Sequence, residues 1–151
     1  MALKFSIPKI RFPYVHKQYV SWGEMDAFQH INHVVYVKYF ENARVEFLKD
    51  VGIWDPGLNG EYGPIVAKLD MQFKKQVRYP AQLDVTIGLL ELQSRSFSFG
   101  CTMWDDNNDL VYLAVGDFYW IHFPTGKVVS LPKEYIEKFK PYVVNKNKIY
   151  K

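Results

Sequence analysis

The stretch Trp22–Leu48, WGEMDAFQHINHVVYVKYFENARVEFL, sets a short loop of acids and histidines directly in front of a long amphipathic pattern. Tyr36, Phe40, Ala43, Phe47 and Val51 recur at steps of three and four, while Lys38, Glu41, Asn42, Glu46 and Lys49 gather on the other side. That spacing predicts a helix over about 33–51 with one face buried. Asn32 suits its N-cap, since the side-chain oxygen can accept an amide hydrogen that the first turn leaves unpaired, and Gly52 suits its stop. The loop carries Glu24, Asp26, His30, Asn32 and His33 at the positive end of the helix dipole, a setting suited to chemistry on a developing negative charge.

Outward from this stretch the pattern changes. Residues 1–13 form an extended lead-in fixed by Pro8 and Pro13, and Tyr14 to Trp22 is a strand rich in Tyr and Val that Gly23 ends. After the helix, WDPGLNGEYGP is irregular turn chemistry. Ile65, Ala67, Leu69, Met71 and Phe73 then alternate with polar residues and predict a half-buried strand. Leu83, Val85, Ile87 and Leu89 make the next strand. Phe97, Phe99, Cys101 and Met103 make a third, whose other side, Ser96, Ser98, Gly100 and Thr102, is small enough for close packing, with the helix as the candidate neighbour. Asp105 to Asp109 read as a hairpin turn. Leu110 to Phe123 is apolar on both sides and central, and Pro132 opens a short terminal helix with Tyr135, Ile136 and Phe139.

The sum is an α+β fold: a single hot-dog domain over 14–140, its curved antiparallel sheet wrapped around the long central helix, followed by a basic tail over 141–151. The length of 151 residues fits one domain, and 48% hydrophobic with 17% aromatic content excludes a disordered chain. The net charge of +3 is too small, and the aromatics too confined to core periodicities, for a nucleic-acid binder. The single cysteine, Cys101, reads as a small buried hydrophobe in a reducing compartment. No signal-peptide run or membrane-spanning stretch is apparent, so the expectation is a cytoplasmic protein without membrane insertion.

The junction V-x-W-x-E-M-D-A-F-x-H-I-N-H, the helix motif Y-V-K-Y-F-E-N-A-R and the later V-R-Y-P-A resemble the 4-hydroxybenzoyl-CoA thioesterase-like acyl-CoA thioesterases from about Tyr14 to Leu131. The resemblance implies that Asp26 is the catalytic carboxylate, as nucleophile or as base for water. It also implies that the backbone N–H of His33 receives the thioester oxygen. Homodimers whose sheets join, often paired into tetramers, belong to the same implication. So does the absence of a cofactor. The chain departs from the family at Gln29, where glycine is usual, and at Glu24, where many members have aspartate. At Gln29 either the backbone has no need of a positive φ or the loop is shaped differently.

Each of these residues also has a plainer role. Asp26 can stabilise the turn, His30 can support the loop or orient substrate, and Asn32 can cap the helix and so position the oxyanion donors. The histidines lack the spacing of a metal site. Glu41 lies three residues from both Lys38 and Arg44, which favours a surface ion pair. Lys74, Lys75, Arg78 and Arg95 sit near strand ends where coenzyme phosphates could lie. Tyr36, Tyr39, Phe40, Trp54 and Tyr62 are candidates to line the acyl pocket. The leading expectation is hydrolysis of an acyl-CoA or acyl-carrier thioester. The alternatives are a hot-dog enoyl-thioester hydratase or dehydratase, and a non-catalytic acyl-thioester binding module.

Overall fold

A computed structural model describes residues 8–53 and 60–144. Its frame is an antiparallel sheet curled around one long helix, α1, His33–Asp50. The strands are β1 Tyr14–Tyr19, β2 Tyr62–Phe73, β3 Gln82–Leu92, β4 Ser96–Trp104, β5 Leu110–His122 and the short β6 Lys127–Val128. Their order is β1-β3-β4-β5-β2, with β6 beside β5. This is the hot-dog arrangement. A second helix, α2, Lys133–Phe139, starts after Pro132, which cannot donate to a preceding turn and so suits that position. The predicted helix and strands are all present. The first strand stops at Tyr19, and Trp22–Glu24 instead form a 3-10 turn. Trp54 and most of the turn segment after α1 lie outside the described residues, as does the tail from 145.

The helix buries Tyr36, Tyr39, Phe40, Ala43 and Phe47 against the inner face of the sheet, where Phe97, Phe99, Cys101 and Met103 of β4 meet them. Burying the aromatic ones among them stabilises by about 1.5–3 kcal/mol each. Phe47 joins the layers, with its ring 5.7 Å from that of Phe99 and 6.1 Å from that of Phe139. Arg44 does not form the expected surface ion pair with Glu41. Its guanidinium turns inward over the rings of Phe40 and Phe118, at 4.6 and 4.9 Å, where cation–π attraction replaces a solvent-screened pair.

The small face of β4 does not meet the helix. It receives the lead-in on the outer side of the sheet. Thr102 Oγ1 donates to Ile10 O at 2.7 Å, Thr86 Oγ1 accepts the Phe12 N–H at 3.0 Å, and the Phe12 ring is 2% exposed. Gly88 and Gly100 make room for it, since a Cβ at Gly88 would sit 2.8 Å from the Phe12 ring. Val144 closes the same face by donating its N–H to Leu89 O at 2.8 Å.

One strand departs from simple alternation. In β2, Val66 stands opposite Phe118 and Lys68 opposite Asp117, so Ala67 is an extra residue in a bulge. Leu69, Met71 and Phe73 therefore share a side with Val66, and Ile65 turns to the other. Among the described residues no helix is long and apolar enough to cross a membrane.

Candidate active site

The loop before α1 is held at both ends by backbone pairing. Asn32 N–H donates to Glu24 O at 3.1 Å, Ile31 N–H to Val77 O at 2.9 Å, and Asp26 N–H to His30 O at 2.9 Å. Between these anchors the chain folds tightly: Gln29 N–H reaches Asp26 O at 3.0 Å, and Asp26 Oδ1 accepts the Phe28 N–H at 2.9 Å. The turn places Gln29 at φ 62°, so the backbone does use the left-handed conformation there, at a cost of about 1 kcal/mol for a residue with a Cβ. Arg78 steadies the strained residue, with Nε 3.2 Å from Gln29 O and a second nitrogen 3.4 Å from Oε1.

Glu24 is structural in this setting. Its Oε1 accepts the Ser21 N–H at 2.8 Å and the Tyr39 hydroxyl at 2.6 Å, which ties the 3-10 turn to the helix. Asp26 is different. It is exposed, only its Oδ1 is engaged, and Oδ2 has no hydrogen bond in the described residues. Asn32 caps the helix as its sequence position suggests, accepting the Val34 N–H at 3.1 Å. The His33 N–H, one residue earlier, has no acceptor among the described residues and stands at the positive end of the dipole.

Asp26, His30, His33 and Tyr36 line one cleft of about 440 Å³, together with Phe28 and Phe73. Asp26 also borders a second cleft of about 560 Å³ with Trp22, Arg78 and Tyr79. Asp26 is thus the residue shared by both. Phe28 and Phe73 escaped sequence reasoning, because an aromatic in a loop or at the end of an alternating strand carries no signal beyond core or surface. Lys74 lines the first cleft. Lys75 lines it too, and its Nζ lies 2.7 Å from both Asp105 Oδ2 and Asp109 Oδ2. Arg95 lies between β3 and β4 at the far end of the sheet, roughly 30 Å from the loop along the strand rise. Among the described residues no group of three or more His, Cys, Asp or Glu is placed to hold a metal ion.

Comparison with known proteins adds to this geometry. The family model described as the Thioesterase-like superfamily matches residues 20–139. A curated protein of Aquifex aeolicus (strain VF5), named "Putative esterase", is 29% identical over 133 residues, 85% of this chain and 98% of that one. The crystal structure of a hypothetical protein from Aquifex aeolicus superposes with a TM-score of 0.78 at 27% identity, covering 84% of this chain and 99% of that one. A DHNA-CoA thioesterase from Staphylococcus aureus shares the fold with a TM-score of 0.78 at 18% identity, over 84% and 88% of the two chains.

Proposed function

We propose, for a chain that belongs to the Thioesterase-like superfamily, that it hydrolyses an acyl-CoA or acyl-carrier thioester to the free acid and thiol. The observation that carries this reading is the pairing of a half-free carboxylate, Asp26, with an unpartnered amide, His33 N–H, on the wall of one cleft. Asp26 Oδ2 attacks the thioester carbon directly or takes a proton from the water that does. The carbonyl oxygen gathers negative charge and is met by the His33 N–H and the helix dipole. The C–S bond then breaks, the sulfur leaves as thiolate and is protonated, and water supplies the hydroxyl of the acid. Asn32 holds the amide in place by fixing the first turn, and His30 orients the bound ester. Lys74 and Arg78 are the cations we assign to the coenzyme's phosphates. No cofactor enters the scheme.

The test is thiol release from a panel of acyl-CoAs by wild type and Asp26→Asn. The variant should lose a hundredfold or more in kcat, the scale of a positioned acid or base. Unchanged turnover removes Asp26 from the mechanism. Water addition to an enoyl substrate without thiol release would instead assign hydratase chemistry.

We further read the protein as a homodimer joined at β2. That strand ends the sheet and, among the described residues, pairs only with β5, while Ile65, Val66 and Phe73 are 46%, 49% and 48% exposed. Sedimentation equilibrium should return twice the chain mass, and a monomer removes this part of the reading. The fully buried lone Cys101 supports a reducing, intracellular setting.

A further inference from the structure

Glu24 lies two residues before Asp26 and lines neither cleft, yet it ties three parts of the chain together. Its Oε1 accepts the Ser21 N–H at 2.8 Å, where the loop begins, and the Tyr39 hydroxyl at 2.6 Å, from the second turn of α1. Its backbone O accepts the Asn32 N–H at 3.1 Å, where the loop ends. Asn32 caps the helix and directly precedes the His33 amide. Glu24 thus connects the stretch that carries the Asp26 carboxyl with the stretch that presents the oxyanion donor. Among the described residues, Tyr39 is the one side chain of α1 that hydrogen-bonds to the loop. It is 1% exposed, and its ring meets that of Tyr36 edge-on at 6.5 Å, so packing fixes the direction of its hydroxyl. Burial first, and the bond to Glu24 second, push that hydroxyl well above the ordinary tyrosine range, which keeps it a donor.

We propose that Tyr39 and Glu24 are positioning residues for the reaction: anchored to the body of α1 by the Tyr39 hydroxyl, the loop keeps Asp26 and the His33 N–H on the wall of one cleft. This rests on the hydrolase reading. The two groups must hold a fixed relation to the reacting carbon, since displacement by about 1 Å can cost about a hundredfold in rate. The other ties of the loop run to the segment over 77–79. Ile31 N–H donates to Val77 O, the Arg78 guanidinium to Gln29 and Tyr79 N–H to Met25 Sδ, and none of these reaches the helix. Without the Tyr39 bond, loop and helix are hydrogen-bonded only around Asn32 among the described residues. Neither Tyr39 nor Glu24 lines a cleft, so both act through the loop and not on the substrate.

The experiment measures kcat and KM for thiol release from acyl-CoAs by wild type, Tyr39→Phe, Glu24→Ala, Glu24→Gln and Tyr14→Phe. Tyr14→Phe is the control. It also loses a tyrosine–carboxylate bond to α1, that to Asp50 Oδ2 at 2.5 Å, but at the far end of the helix, roughly 25 Å from His33. Tyr39→Phe should lose about tenfold in kcat and Glu24→Ala at least as much, with KM within about twofold of wild type. Glu24→Gln should recover to within about threefold of wild type, since its amide oxygen still accepts both donors. Tyr39→Phe and Tyr14→Phe should lower the thermal midpoint alike, while Tyr14→Phe keeps the wild-type kcat. Full kcat in Tyr39→Phe, or an equal fall in Tyr14→Phe, overturns the proposal. So does a fall in Glu24→Gln as deep as that in Asp26→Asn, which would put Glu24 in the chemistry itself, and so does a change confined to KM. If wild type releases no thiol from any acyl-CoA, the hydrolase reading fails separately, and amide hydrogen exchange over 24–33 decides the positioning claim. Exchange that quickens in Tyr39→Phe and not in Tyr14→Phe upholds it, and any other pattern overturns it.

Discussion

In the loop over 26–30 and in the β4–β5 turn over 105–109, an aspartate folds the backbone by the same means. Asp26 Oδ1 accepts the N–H of Phe28, and Asp105 Oδ1 accepts those of Asn107 and Asp109. Each turn also holds one residue with a side chain at positive φ, Gln29 at 62° and Asn108 at 64°. The second oxygen separates them. Asp105 Oδ2 is closed by Lys75 Nζ at 2.7 Å, whereas Asp26 Oδ2 is left open beside a helix N-terminus. Turn chemistry is thus common to both sites, and what separates them is that a cation pairs with the free oxygen of Asp105 and none with that of Asp26 among the described residues.

The comparison breaks most sharply at the two carboxylates themselves. Asp26→Asn keeps a turn-forming oxygen, so stability should change by no more than about 0.5 kcal/mol while kcat falls as described above. Asp105→Asn should leave kcat untouched, and a matching loss in both variants would mean that the open oxygen is not the distinction. Asp105→Ala should reverse the order of effects. It removes two amide acceptors and the partner of Lys75, and urea unfolding should report a loss of about 2 kcal/mol.

The same turn should set an acid limit. Burial acts to raise the Asp105 pKa, but the hydrogen bonds from Lys75 and from the amides of Asp109 and Asn107 outweigh it and hold the carboxyl below its ordinary range. A folded-state pKa below the unfolded one, near about 3.9, gives stability that is fully present above that pH and lost as pH falls through the folded value. Wild type should therefore lose stability below about pH 4 more steeply than Asp105→Ala. Parallel acid limbs in the two proteins would show that Lys75 does not close the turn in solution.

The smallest effect concerns the left-handed residues. Gln29→Gly relieves the Cβ penalty and should stabilise by up to about 1 kcal/mol, offset in part by chain entropy and by the lost contact from Arg78 to Oε1. Asn108→Gly should be nearly neutral, since asparagine tolerates this conformation. Thermal midpoints of the two variants measure the difference, and destabilisation by Gln29→Gly would show that the Arg78 contact outweighs the strain.

The sequence by itself determined the features whose causes are local. The three- and four-residue spacing of Tyr36, Phe40, Ala43 and Phe47 made the helix, Asn32 capped it, alternation made β3 and β4, and a run apolar on both sides made β5. The junction motif carried the family, and the same residues singled out Asp26 and the His33 amide, because both depend on neighbours within a few positions. Tertiary structure alone decided the rest. Phe12 covers the small face of β4 from about 90 residues away, a distance no periodicity encodes. Lys75 is taken by acids on a hairpin that sequence places in another element. The left-handed φ at Gln29 follows from anchoring His30 and Ile31 to Asp26 and Val77, which forces the turn closed whatever residue occupies it.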